Sequence, residues 1–150
     1  MKNVKNDILT AGLKKQEAII SDFRQRISDV MSHEDGSTKE EFDNFHQTFS
    51  SEALAEASIL NNEVEFASHE LEQMRRIDCN HSHNRAEFGS VVRTDRKTFF
   101  VSASLEDFNV GDRKFFGISV HSPIYFAMKG KKAGDCFKTR NVEYVIEEIF

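Results

Sequence analysis

The sequence predicts an α+β protein: an N-terminal antiparallel helical hairpin of coiled-coil type, followed by a small antiparallel β domain carrying one short helix. Three observations carry that expectation. Apolar residues recur at heptad spacing in two long segments of the first half, β-rich alternating runs fill the second half, and glycine and charge are divided between the halves. Residues 1–78 hold 9 Lys/Arg against 16 Asp/Glu, whereas residues 79–150 hold 11 against 9, so the two parts have different electrostatic roles. Only Gly12 and Gly36 lie in the first part, while Gly89, Gly111, Gly117, Gly130 and Gly134 punctuate the second. The expected division is a hairpin over 1–78, a linker over 79–86 and a β domain over 87–150.

The first helix follows from residues 4–33, where Leu9, Leu13, Gln16, Ile20, Phe23, Ile27 and Val30 succeed one another at steps of four and three. That is an a/d seam with a period of 3.5. Ala53, Ala57, Leu60, Val64, Ala67, Leu71 and Met74 repeat the spacing in the second helix. Each stripe is too narrow for a globular core, so each helix is expected to bury its seam chiefly against the other. Between them, Gly36 is a helix stop, and Ser37 or Thr38 with Glu40 or Glu41 three residues on has the capping-box spacing of a new start. A spacer or dimerisation coil is the ordinary reading of such a hairpin.

Its tip adds chemistry. Glu34, Asp35, Glu40, Glu41 and Asp43 place five carboxylates within ten residues, with Lys39 as the only base among them. Their mutual repulsion favours protonation or a cation; the plainer reading is a solvated turn whose acids favour the second helix dipole. Mg²⁺ would bind such a tip weakly without a partner to complete the site, because it keeps most of its waters. Phe42, Phe45 and Phe49 share one helical face, which either packs on the end of the first helix or docks a partner.

In the β domain, Phe88–Arg93 and Thr98–Leu105 flank the polar "TDRK" and predict a hairpin. Phe99, Val101, Ala103 and Leu105 are read as one face of its second strand. A second hairpin is expected at the end of the chain around Thr139 to Asn141, with Val142, Tyr144 and Ile146 on one face. The short helix starts at the single proline: Ser122 caps it, Pro123 suits its first position and Gly130 its left-handed close. Ile124, Phe126, Ala127 and Met128 are assigned to its buried side, and Lys129, Lys131 and Lys132 leave positive charge at its end.

Other features exclude function classes. No apolar run reaches 18 residues and the N-terminal segment has no signal-like core, so neither secretion nor membrane spanning is expected, and a cytoplasmic location follows. Cys79 and Cys136 are read as reduced thiols. Cys79, His81 and His83, with Cys136 as a possible fourth ligand, match no common zinc spacing, and alternate residues point apart in an extended chain, so this stretch is read as a polar linker.

"FGSVV" at 88–92, "ISVHSPIYFAMKGKKAGD" at 118–135 and "VEYVIEEI" at 142–149 resemble, in order and spacing, the C-terminal domain of the Gre transcription elongation factors. That family's long motif is I-S-x-x-S-P-I-x-x-A-L-x-G-K-x-x-G-D, and a helical hairpin with an acidic tip precedes it. The resemblance implies an FKBP-like fold for the second half. It also implies a factor, without catalysis of its own, that docks on bacterial RNA polymerase and reaches the active centre through the secondary channel. Tip carboxylates there share a Mg²⁺ with the polymerase and stimulate hydrolysis of backtracked RNA. By this resemblance Asp35 and Glu41 stand for the family's two tip acids, and Glu40, Glu34 and Asp43 of the same cluster are further candidate metal-contacting acids. Ser122, Pro123, Ile124, Ala127, Lys129, Gly130 and Lys131 bind polymerase, and Phe42 and Phe45 dock the tip. The implied factor is a monomer that meets nucleic acid only within the elongation complex and holds no cofactor stably by itself. The tip departs from the family: five residues separate Asp35 from Glu41 where the family has two, and Asn44 stands where a Glu is usual. A Gre-like regulator that occupies the channel without cleavage is one alternative. An FKBP-like peptidyl-prolyl isomerase and a self-associating coiled-coil adaptor are others from different classes.

Overall fold

A computed structural model describes the backbone of residues 2–35 and 50–150, and the side chains of residues 4–32 and 50–150. It has the α+β architecture expected. Among the described residues, two helices, α1 (Lys2–Asp35) and α2 (Ser51–Arg75), precede six strands, with the short helix α3 (Pro123–Met128) between the fourth and fifth. The strands are β1 (Val91–Thr94), β2 (Thr98–Val101), β3 (Glu106–Val110), β4 (Arg113–Ile118), β5 (Cys136–Thr139) and β6 (Val142–Ile149).

The chain divides into two compact units, residues 1–16 with 70–150, and residues 17–69. In the second unit the seam residues behave as their spacing predicts. Ile20, Ala53, Ala57 and Ala67 are buried, while Phe23, Ile27, Val30, Leu60 and Val64 are half-buried. The remaining faces are wet and tied by short-range pairs: Asp22 to Arg26 at 2.9 Å and Gln25 to Asp29 at 3.0 Å. At the described start of α2, Ser50 Oγ accepts the N–H of Ala53 at 3.0 Å. The capping-box residues between 37 and 41 lie outside the described residues.

In the first unit the sheet has the order β3-β4-β2-β1-β6-β5. Neighbours are antiparallel except β2 and β4, which run parallel with Phe99 opposite Phe116 and Val101 opposite Ile118. The β1–β2 and β5–β6 hairpins are those predicted; in the latter, Arg140 and Asn141 both take positive φ (49° and 63°), as a type I′ loop demands. The β3–β4 hairpin was not predicted. Its two-residue loop puts Gly111 at φ 61°, where glycine is favoured.

Strand β2 feeds two layers because successive side chains point to opposite faces. On one face Phe99 and Val101 join Val92, Ile118, Phe137, Tyr144 and Ile146 under α3. On the other, Phe100 and Leu105 meet the first turns of α1 and the last of α2. A Cβ on Gly12 would stand 3.3 Å from Leu105 Cδ1, 3.3 Å from Met74 Cε and 3.5 Å from Phe100. Two expectations are corrected here. Leu105 does not share a face with Phe99 and Val101, because the strand ends at Val101 and the chain turns at Ala103, whose carbonyl accepts the Leu105 N–H at 2.9 Å. Nor does α1 bury only its seam: Lys5, Ile8 and Gly12, which are off the a/d positions, are also buried, since the base of α1 has the sheet as a second neighbour.

Candidate functional site

The segment matching the long motif folds as one capped unit on the sheet. Ser122 sits at the N-cap of α3; its Oγ accepts the Tyr125 N–H at 3.3 Å and donates to Ser119 O at 2.7 Å. Pro123 occupies the first helical turn, where its missing N–H costs nothing. Lys129 is the C-cap, its N–H donating to Tyr125 O at 2.8 Å. Gly130 follows at φ 74° and donates to Ala86 O at 2.9 Å, while Lys131 O accepts the Ala86 N–H at 2.9 Å. Gly134 at φ 93° donates to Ile146 O, and Asp135 Oδ2 accepts the Lys132 N–H at 2.8 Å. Each motif residue named here has a mechanical task.

All the sequence-predicted polymerase-binding residues therefore gather on α3 and its caps. Pro123, Lys129 and Gly130 face solvent; Ser122, Ile124, Ala127 and Lys131 are half-buried, with Ile124 and Ala127 packed on the core. The assignment of Phe126 to the buried side is overturned. Tyr125 and Met128, three apart, take the inward positions, and Phe126 is 62% exposed. A helix this short has one inward face, so filling it from Tyr125 turns Phe126 outward between Pro123 and Lys129. That face thus offers a large apolar ring beside lysine, which the sequence reading missed. The signal available was the three-residue step from Tyr125 to Met128. Burial raises the pKa of the Tyr125 phenol, with a smaller contribution from the charge of Glu87.

At the other predicted site, the backbone of Glu34 and Asp35 closes α1. Their side chains, and Glu40, Glu41, Phe42, Asp43 and Phe45 entirely, lie outside the described residues.

The stretch read as a polar linker is not extended. His81 N–H donates to Asp78 O at 3.1 Å and Asn80 N–H to Asp78 Oδ1 at 2.9 Å, a tight turn that ends at His81. Their rings stand edge to face with centroids 4.6 Å apart, and His83 Nδ1 lies 2.6 Å from Glu87 Oε1. Burial lowers the pKa of His83 against the raising effect of its bond to Glu87, and that bond lowers the pKa of Glu87. Lys5, 3% exposed, donates from Nζ to His81 O at 3.0 Å, and burial lowers its pKa. Cys79 and Cys136 are free thiols, as read; burial raises the pKa of Cys79, and Cys136 is exposed on β5. A separate cleft of about 560 Å³ beside β1 and β4 is lined by Arg93, Arg113, Lys114, Phe115 and Phe150 among others, and contains none of the predicted site residues. No described helix is long and apolar enough to cross a membrane.

No protein-family model matches the chain, and no curated protein matches it. Among solved structures, the chain is similar to one described as the structure of the transcription factor Gfh1. The match has 20% identity over 93% of each chain and a TM-score of 0.33, a level of superposition that does not bear on function.

Proposed function

We infer that this chain is a Gre-type transcription elongation factor that binds bacterial RNA polymerase, enters its secondary channel and stimulates cleavage of backtracked RNA. The observation that carries the reading is the fold of residues 118–135. The residues that match the family's long motif are the ones that cap, start and close α3 and tie it to the sheet, and the face they leave to solvent bears Pro123, Phe126 and Lys129. Two long helices precede this unit, 34 and 25 residues, about 51 and 38 Å at 1.5 Å per residue. A helical arm of that length suits delivery of the acidic residues near Asp35 to a distant catalytic centre.

The tip donors are carboxylate oxygens, hard ligands of the kind Mg²⁺ prefers, and so few of them leave the ion to be completed by polymerase. Such an ion supplies an activated water for phosphodiester hydrolysis. Asp35 and Glu41 hold it in this scheme, while the α3 face docks on the channel rim.

The test adds the purified protein to stalled bacterial elongation complexes. Short 3′ RNA fragments are the expected product, and Asp35→Asn with Glu41→Gln abolishes their release without weakening binding. Binding with no fragments from the native chain supports the channel-occupying regulator instead, a reading favoured by the wider spacing of Asp35 and Glu41 and by Asn44. Absence of binding to polymerase overturns both.

A further inference from the structure

We propose that His81, His83 and Glu87 form a three-ligand site for a divalent transition ion of the zinc class, at the junction between α2 and the sheet. Each contributes a donor atom, and the three lie within 4.8 Å of one another. Bonds of about 2.0–2.2 Å set tetrahedral ligand atoms roughly 3.4 Å apart. His83 Nδ1 and Glu87 Oε1 at 2.6 Å stand closer than that and no pair stands wider than 4.8 Å, so binding an ion requires the exposed carboxylate to swing back from His83.

The backbones beneath His81 and Glu87 are held. The Asp78 turn fixes His81, and its carbonyl is further held by Lys5 Nζ. Glu87 is locked to Ser90 in both directions, its N–H donating to Ser90 Oγ at 3.1 Å and its carbonyl accepting from that hydroxyl at 2.6 Å. The His83 side chain is 8% exposed, whereas the Glu87 carboxylate is 50% exposed, so the cluster has a packed wall and an open side. Its single carboxylate is offset by the neighbouring Lys5 ammonium. A purely electrostatic gain for Mg²⁺ or Ca²⁺ is therefore small, and two imidazoles select an ion that prefers nitrogen. Two His and one carboxylate leave a fourth position for water or an outside ligand.

The experiment uses the full chain without an affinity tag, stripped with chelator, and titrates Co²⁺ by its visible d–d absorption, then displaces it with Zn²⁺. One equivalent of tetrahedral Co²⁺ is expected. Glu87→Gln, His81→Ala and His83→Ala should each weaken it by at least about tenfold, the lower end of what disturbing a metal's outer partners alone produces. The exposed Glu87→Gln retains the fold should His83→Ala not. Substituting Asp35 and Glu41, or exposed His69, should leave the affinity unchanged. Absence of saturable binding, or binding insensitive to Glu87→Gln and His81→Ala, overturns the site. Because the isolated chain is titrated, this result is independent of whether it acts on polymerase.

Discussion

A methyl group at Gly117 would stand 2.5 Å from Leu105 Cβ and 2.8 Å from the carbonyl oxygen of Ala103, closer than real atoms approach. The backbone of β4 has no room to yield, since Gly117 O also accepts the Leu105 N–H at 3.3 Å. Gly117→Ala should therefore cost about 3 kcal/mol, the upper part of the range for overpacking, read as a lower midpoint in urea unfolding. Ser122→Ala removes one capping acceptor and should cost about 1 kcal/mol in the same measurement. Phe126→Ser should stay within about 0.5 kcal/mol, as a surface change does, yet weaken polymerase binding if the α3 face docks there. At this scale the caps were legible in the sequence because Ser122, Pro123 and Gly130 act through their own backbone. Phe126 was not, because a helix of six residues is too short to show a period. The nearness of His81 and His83 was not legible either: alternation places side chains apart in an extended chain, yet these two rings stand with centroids 4.6 Å apart.

Among the elements, the heptad seams of α1 and α2 were readable because helix pairing repeats one local rule over many turns. The β1–β2 and β5–β6 hairpins were readable from their polar loops. The β3–β4 hairpin escaped notice, although Phe108 and Phe115 pair across it with ring centroids 5.8 Å apart, since its short runs do not alternate strongly. The parallel union of β2 with β4 joins residues about 17 positions apart, and no local pattern encodes it. The base of α1 tests how far periodicity reaches. Gly12 belongs to no seam, yet its bare backbone abuts Leu105 and Met74, so Gly12→Val should destabilise by about 1–3 kcal/mol in urea unfolding. A neutral outcome would mean that α1 gains little from the sheet.

For the molecule as a whole, the most consequential feature is that the sheet is covered on both faces around β2. Phe100 and Leu105 are shielded by residues contributed from the opposite end of the chain, and Met74 closes the same layer. A gene fragment beginning at Cys79 would keep every strand but strip the roof from that layer, presenting greasy rings to water. It is expected to bind a hydrophobic dye and melt without a sharp transition, whereas a crisp melt would show that the strands stand alone. Anyone dissecting this protein with scissors should thus splice the first sixteen residues back on, because here the beginning of the polypeptide completes the architecture of its end.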